Sequence, residues 1–159
     1  MKLTTLCYLF RNERKEILLG LKKRGFGKNK YNGFGGKKEG NETIEETAKR
    51  EFEEESGLKL SKMKRVGTIE FIYENKEEWD NKCAIFVSDF DNQEIKGSIQ
   101  ETEECNPIWF QVRDIPYSQM WEDDSIWLPL LIQGNDVFYR FFFDSNGKLL
   151  NGGKVDEFK

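Results

Sequence analysis

The stretch Arg50-Glu51-Phe52-Glu53-Glu54-Glu55-Ser56-Gly57 carries more potential chemistry than any other part of the chain. Set on a helical wheel at about 100° per residue, Ile44, Ala48 and Phe52 form one apolar stripe. Glu51 and Glu55 fall within about 20° of Ile44, inside that stripe, and Glu54 flanks it. Glu42, Glu46, Lys49 and Glu53 fall on the opposite, solvated face. Burying an ionised carboxylate costs several kcal/mol unless something compensates. The helix dipole disfavours each acid near the C-terminal end by a further ~0.3–1 kcal/mol. Arg50 is one local cation, but a single guanidinium cannot satisfy so many acids. A divalent metal can. A charge run taken alone usually reads as a solvated face. That reading suits Glu53 and fails for Glu51 and Glu55.

The chain has no histidine. This removes Ser-His-Asp and Cys-His nucleophilic catalysis, together with His-based zinc sites. A metal would be held mainly by oxygen, which favours Mg²⁺, Mn²⁺ or Ca²⁺. The formal net charge of -4 supplies no basic excess for a nucleic-acid partner. No apolar run approaches the ~20 residues of a membrane span. Met1 to Phe10 lacks the h-region and cleavage site of a signal peptide. Cys7, Cys83 and Cys105 are odd in number and widely spaced, so they read as reduced thiols and a cytoplasmic location is expected.

These groups need a scaffold, and the 159 residues are enough for one domain with a sizeable core. Strand-like runs are Leu3 to Phe10, Ile17 to Lys22, Val66 to Tyr73, Ala84 to Phe90, Ile108 to Val112 and Val137 to Phe143. The first two flank a charged turn and read as a hairpin. Thr43 to Ser56 reads as a helix, with Thr43 and Glu46 spaced as a capping box and Gly57 placed as its C-terminal left-handed residue. A shorter helix is expected from about Asp124 to Gln133, with Pro129 in or just past its first turn. Strands clustered around two helices predict an α+β fold or an α/β/α sandwich.

Gly36, five residues, Glu42, seven residues, then Arg50-Glu51-Phe52-Glu53-Glu54-Glu55-Ser56-Gly57-Leu58 resembles the signature box of the Nudix hydrolases at every fixed position. The resemblance implies an α/β/α sandwich with a mixed central sheet and a loop-helix-loop that binds Mg²⁺ and a pyrophosphate, Mn²⁺ being a substitute. It implies Glu51, Glu54 and Glu55 as metal ligands, Arg50 as the residue orienting them, Glu104 as a further ligand or an aid to water activation, and a glycine carbonyl from Gly35 or Gly36 in the metal shell.

From Thr5 to Leu131 the chain is further similar to the animal MutT homologues, hydrolases of oxidised purine nucleoside triphosphates. The segments that carry this likeness are Lys22 to Gly27, Tyr31 to Lys37, Glu103-Glu104, Trp109-Phe110 and Met120 to Ser125. It implies Asn32, Asp123 and Asp124 on the base edge and Trp121 and Phe26 as aromatic walls. Thr5, Lys22, Phe34, Gly35, Gly36, Lys37 and Glu122 join the expected substrate site. An amide donates and accepts, and two adjacent carboxyls in a dry pocket can share a proton. On local pattern alone, Asp123 and Asp124 also read as helix caps, Trp121 as core, Glu104 as a solvated acid and Lys22 to Arg24 as a surface cluster. The resulting expectation is a monomeric hydrolase of a small nucleotide. Its rivals are a diphosphatase of another nucleotide and a silent nucleotide-binding module.

Overall fold

Alternation of side chains across the strands builds a sheet that is apolar on both faces. The chain is described over residues 1–157 in a computed structural model. Strands β1 (Lys2–Arg11), β2 (Glu16–Lys22) and β3 (Tyr31–Asn32) precede helix α1 (Ile44–Ser56). Then come β4 (Leu58–Leu60), β5 (Lys64–Tyr73), β6 (Asn81–Asp89), β7 (Ile95–Gly97) and β8 (Cys105–Gln111). Helix α2 (Asp124–Ile132), β9 (Val137–Phe143) and β10 (Leu149–Lys154) complete the chain.

The main sheet runs β10-β9-β5-β6-β1-β2-β3, with β8 also on β2. It is mixed: β1 lies parallel to β6 and β5 parallel to β9, and the other pairs are antiparallel. On one face Tyr8, Phe10, Ile69, Ile85 and Phe141 pack with Trp127, Leu128 and Leu131 of α2. On the other, Cys7, Leu9, Leu18 and Phe34 pack with Ala48 and Phe52 of α1. The architecture is therefore an α/β/α sandwich.

The expected long strands are all present, and Ala84 to Phe90 and Ile108 to Val112 each begin about three residues earlier than their apolar runs. The short pieces β3, β4 and β7 and the final strand β10 are additions to the expected set. Thr43 and Glu46 form a reciprocal capping box on α1, and Gly57 closes it at φ 84°. Pro129 sits inside α2, beyond its first turn. Cys7, Cys83 and Cys105 are buried free thiols.

One departure from a plain sheet positions the site. β1 and β2 pair only from Leu9/Leu18 to Arg11/Glu16. Beyond that they part, and residues 31–37 enter the gap. Cys7 N–H donates to the Phe34 carbonyl at 2.7 Å, and Thr5 N–H donates to the Gly36 carbonyl at 2.9 Å.

Candidate active site

The segment 33–37 forms a wall between the carboxylate face of α1 and a cavity of about 500 Å³ on the other side. On the helix side, Gly35 N–H donates to Glu55 Oε1 at 2.8 Å. A Cβ on Gly36 would lie 2.4 Å from the Glu51 carboxyl carbon, so any other residue there must displace that carboxylate. Arg50 gathers the acids: Nε donates to Glu42 at 2.6 Å, and Nη1 donates to Glu51 at 2.9 Å and to Glu54 at 3.4 Å. Its Nη2 also reaches the Lys37 carbonyl at 3.2 Å, tying the loop to the helix. Arg50 and neighbouring N–H and O–H donors hold the Glu42 carboxyl down to about 2. Glu42 is thus a structural partner of Arg50 and not simply a solvated acid.

Burial pushes Glu55 up to about 8, against the opposing pull of the Gly35 N–H. Burial also raises Glu51, and Arg50 partly offsets it. Two desolvated acids on one face fit a hard cation in kind. Among the described residues, no three acidic groups converge on a point that could hold a metal ion. An ion such as Mg²⁺ does not need that, because it binds through one or two carboxylates plus water and substrate phosphate. Glu51, Glu54, Glu55 and the Gly35 carbonyl are the candidates from which one or two carboxylates would hold it. Glu104 is exposed and engaged by Arg24, although it lies near enough to Glu55 to raise its pKa.

The cavity is lined by Thr5, Lys22, Phe26, Asn32, Gly35, Gly36, Lys37, Trp121, Asp123 and Asp124. Phe26 lies over it, 5.0 Å from Trp121 and 4.5 Å from Trp79 by ring centroids. Asp123 and Asp124 are buried at the start of α2, and each keeps one carboxyl oxygen (Oδ1 and Oδ2 respectively) without a hydrogen-bond partner. Asp123 Oδ2 accepts from the Trp127 indole at 2.8 Å, and Asp123 makes no side-chain capping bond. Burial raises both carboxyls, and the charge of Asp123 raises Asp124 further. Capping is therefore not what these residues do. A buried polar atom left unpaired costs ~1–3 kcal/mol, more if charged, which marks the pair as built for something outside the protein.

The NUDIX domain family matches residues 1–131. The chain belongs to the Nudix family. It is 40% identical over 159 residues to the oxidized purine nucleoside triphosphate hydrolase of Mus musculus, covering 99% of this chain and 97% of that one. The protein of the same name from Danio rerio is 40% identical over 156 residues, covering 98% and 95%. Among solved structures, the MutT protein of Bacillus halodurans superposes with a TM-score of 0.83 at 20% identity over 99% of both chains, a likeness of fold.

Two residues expected in this Nudix site lie elsewhere. Phe34 is fully buried on the opposite face of the sheet, 4.9 Å from Phe52, in the core beneath α1 and not on the cavity. Glu122 is exposed and accepts from Leu149 N–H at 3.1 Å, bracing the last hairpin. Other wall residues escaped the sequence reading. Phe71, Tyr73 and Cys83 line the cavity at alternate positions of β5 and β6, so period-two alternation carried their signal. Trp79 sits on a short 3-10 turn, Glu77–Trp79, and had no such signal. Lys30 lies 5.2 Å over the Trp121 ring, and Lys2 also lines the cavity.

Proposed function

We propose that this Nudix enzyme hydrolyses oxidised purine nucleoside triphosphates, of the 8-oxo-dGTP and 2-hydroxy-dATP type, to the monophosphate and pyrophosphate. The observation that carries the reading is the buried Asp123–Asp124 pair, each with an unpaired oxygen, facing the same aromatic-walled cavity as Asn32. With one proton shared, the pair presents a donor beside an acceptor, the pattern needed to read a modified purine edge. The names of the mouse and zebrafish relatives support the same substrate class.

Base and phosphates would occupy the two sides of the 33–37 wall. Phe26 and Trp121 would hold the base plane, and Lys22, whose charge acts on both Glu55 and Glu104, would meet the phosphate chain where the two zones join. Arg50 keeps Glu51 and Glu54 aimed. When bound, Mg²⁺, or Mn²⁺ in its place, neutralises phosphate charge and makes water more acidic. Glu55 and Glu51, already desolvated, would position the water that attacks phosphorus. The enzyme would act as a cytoplasmic monomer that clears damaged nucleotides. Pyrophosphate release across ordinary and oxidised purine triphosphates, dinucleoside polyphosphates and nucleotide sugars tests the assignment. At least a ~10-fold preference in kcat/KM for oxidised purines is expected, given the tenfold change that each 1.4 kcal/mol brings. A preference for a nucleotide sugar, or binding without turnover, would overturn it.

A further inference from the structure

Asn32 lies on the cavity wall, and its amide oxygen is already spoken for. Gly33 N–H donates to Asn32 Oδ1 at 2.8 Å. A backbone N–H can only donate, so the atom it meets must be the oxygen, and this fixes which way the amide points. The Tyr8 hydroxyl meets the same oxygen at 3.3 Å. A carbonyl oxygen has two lone pairs, and both are now engaged. What remains for a ligand is the Nδ2 amino group, a pure donor.

Tyr8 is fully buried in the strand beneath, and its ring lies against Gly33, where an added Cβ would come within 2.7 Å. The ring is also edge-on to Trp127 at 5.7 Å, and Trp127 donates to Asp123. A phenol buried in an apolar layer needs a partner for its hydroxyl, and Asn32 is that partner.

We propose that Tyr8 is a positioning residue that locks Asn32 with its amino group toward the ligand, so that this wall of the site reads only acceptor atoms of the base. The inference rests on the purine-triphosphate reading for the identity of the base, but the lock itself can be tested with whichever nucleotide the enzyme accepts. Without the Tyr8 hydroxyl only the Gly33 N–H holds that oxygen, so the amide turns more readily and can accept bases that carry a donor there. Tyr8 would then set selectivity without touching the substrate.

The test is a cycle of Tyr8→Phe, Asn32→Ala and both together, with Asn32→Asp as a further variant. The triphosphate panel supplies KM and kcat. Quenching of tryptophan fluorescence by 8-oxo-dGMP in the absence of metal supplies binding. Tyr8→Phe keeps the ring and its contacts, so kcat should stay within about two-fold while KM rises roughly 3- to 10-fold, the range of one net hydrogen bond. In the Asn32→Ala background the same change should leave KM within about two-fold, because there is nothing left to orient. Asn32→Asp still accepts from Tyr8 and Gly33 but has no donor, and it should bind at least as poorly as Asn32→Ala.

An undiminished Tyr8→Phe effect in the Asn32→Ala background would overturn the proposal, as would an Asn32→Asp variant that binds like wild type. Should Tyr8→Phe fail to fold, the Asn32→Asp result still decides which amide atom faces the base. Wild-type enzyme that ignores oxidised purines but turns over another nucleotide would sink the substrate reading, and the cycle on that nucleotide would still judge the lock.

Discussion

Replacing Glu55 with Gln retains an oxygen that Gly35 N–H can donate to and removes only the charge. If that charge serves the phosphate chemistry, kcat should fall by at least ~100-fold, the loss seen when one preorganised electrostatic group is removed. Steady-state kinetics with saturating Mg²⁺ measure this, and near wild-type turnover would remove Glu55 from the mechanism. Asp123 and Asp124 carry the pH signature. Both are raised by burial, so the folded protein holds a proton that the unfolded chain releases above the ordinary carboxylate range. The folded state then binds more protons, and stability must fall as pH rises from about 4 through the raised values. Asp124→Asn should reduce that slope in Tm against pH, leaving the part that desolvated Glu55 and Glu51 contribute. It should also abolish the rise in KM for oxidised purines expected on the alkaline side, where the shared proton is lost. Residue types and spacing point to this pair but leave two roles open for it. Only packing could decide, because an Asp before a helix looks the same whether it caps the helix or faces a cavity.

At the scale of elements, the loop 33–37 and helix α1 act as one unit through Arg50 and two glycines. Gly36→Ala would press a methyl into the Glu51 carboxylate. Displacing a catalytic group by about 1 Å can cost ~100-fold in rate, so kcat should drop by one to two orders of magnitude with a small change in Tm. A variant with full activity would show that Glu51 has room to move. Much at this scale was legible beforehand. Helix α1 announced itself through its cap, its periodicity and Gly57, and the long strands through β-branched and aromatic runs. β10 was not legible: Leu-Leu-Asn-Gly-Gly-Lys has two glycines, no alternation, and a shift of register against β9. Short β4 and β7 are fixed by each other and not by their composition. Tyr8 was hidden for the opposite reason. It lies in an apolar strand, where one more aromatic looks like core, and its polar partner is 24 positions away.

Across the whole molecule, the C-terminal hairpin reaches the back of the cavity wall. The β9–β10 hairpin, beyond the region matched by the family, supports the aromatic wall. Phe143 stacks on Tyr73 at 5.0 Å and meets Trp121 edge-on at 5.9 Å. Phe143→Ala should therefore act twice: it should destabilise the fold by about 3–5 kcal/mol, as aromatic truncations in cores do, and raise KM through a loosened Trp121. Chemical denaturation and kinetics below the melting transition separate the two effects. A loss of stability with KM unchanged would free Trp121 from any dependence on the tail.

The three buried thiols bear on endurance. Peroxide attacks the thiolate and not the thiol. Burial drives Cys83 and Cys105 up to about 12, and Cys7 higher still. At neutral pH burial therefore keeps the Cys83 side chain in its protonated thiol form. An enzyme that clears oxidised nucleotides is needed most when oxidants are abundant. With every cysteine held protonated inside the sandwich, and no histidine to activate one, catalysis should survive hydrogen peroxide that sulfenylates exposed low-pKa thiols. Residual kcat/KM after such exposure, read beside mass spectrometry of Cys83 on the cavity wall, measures that resistance.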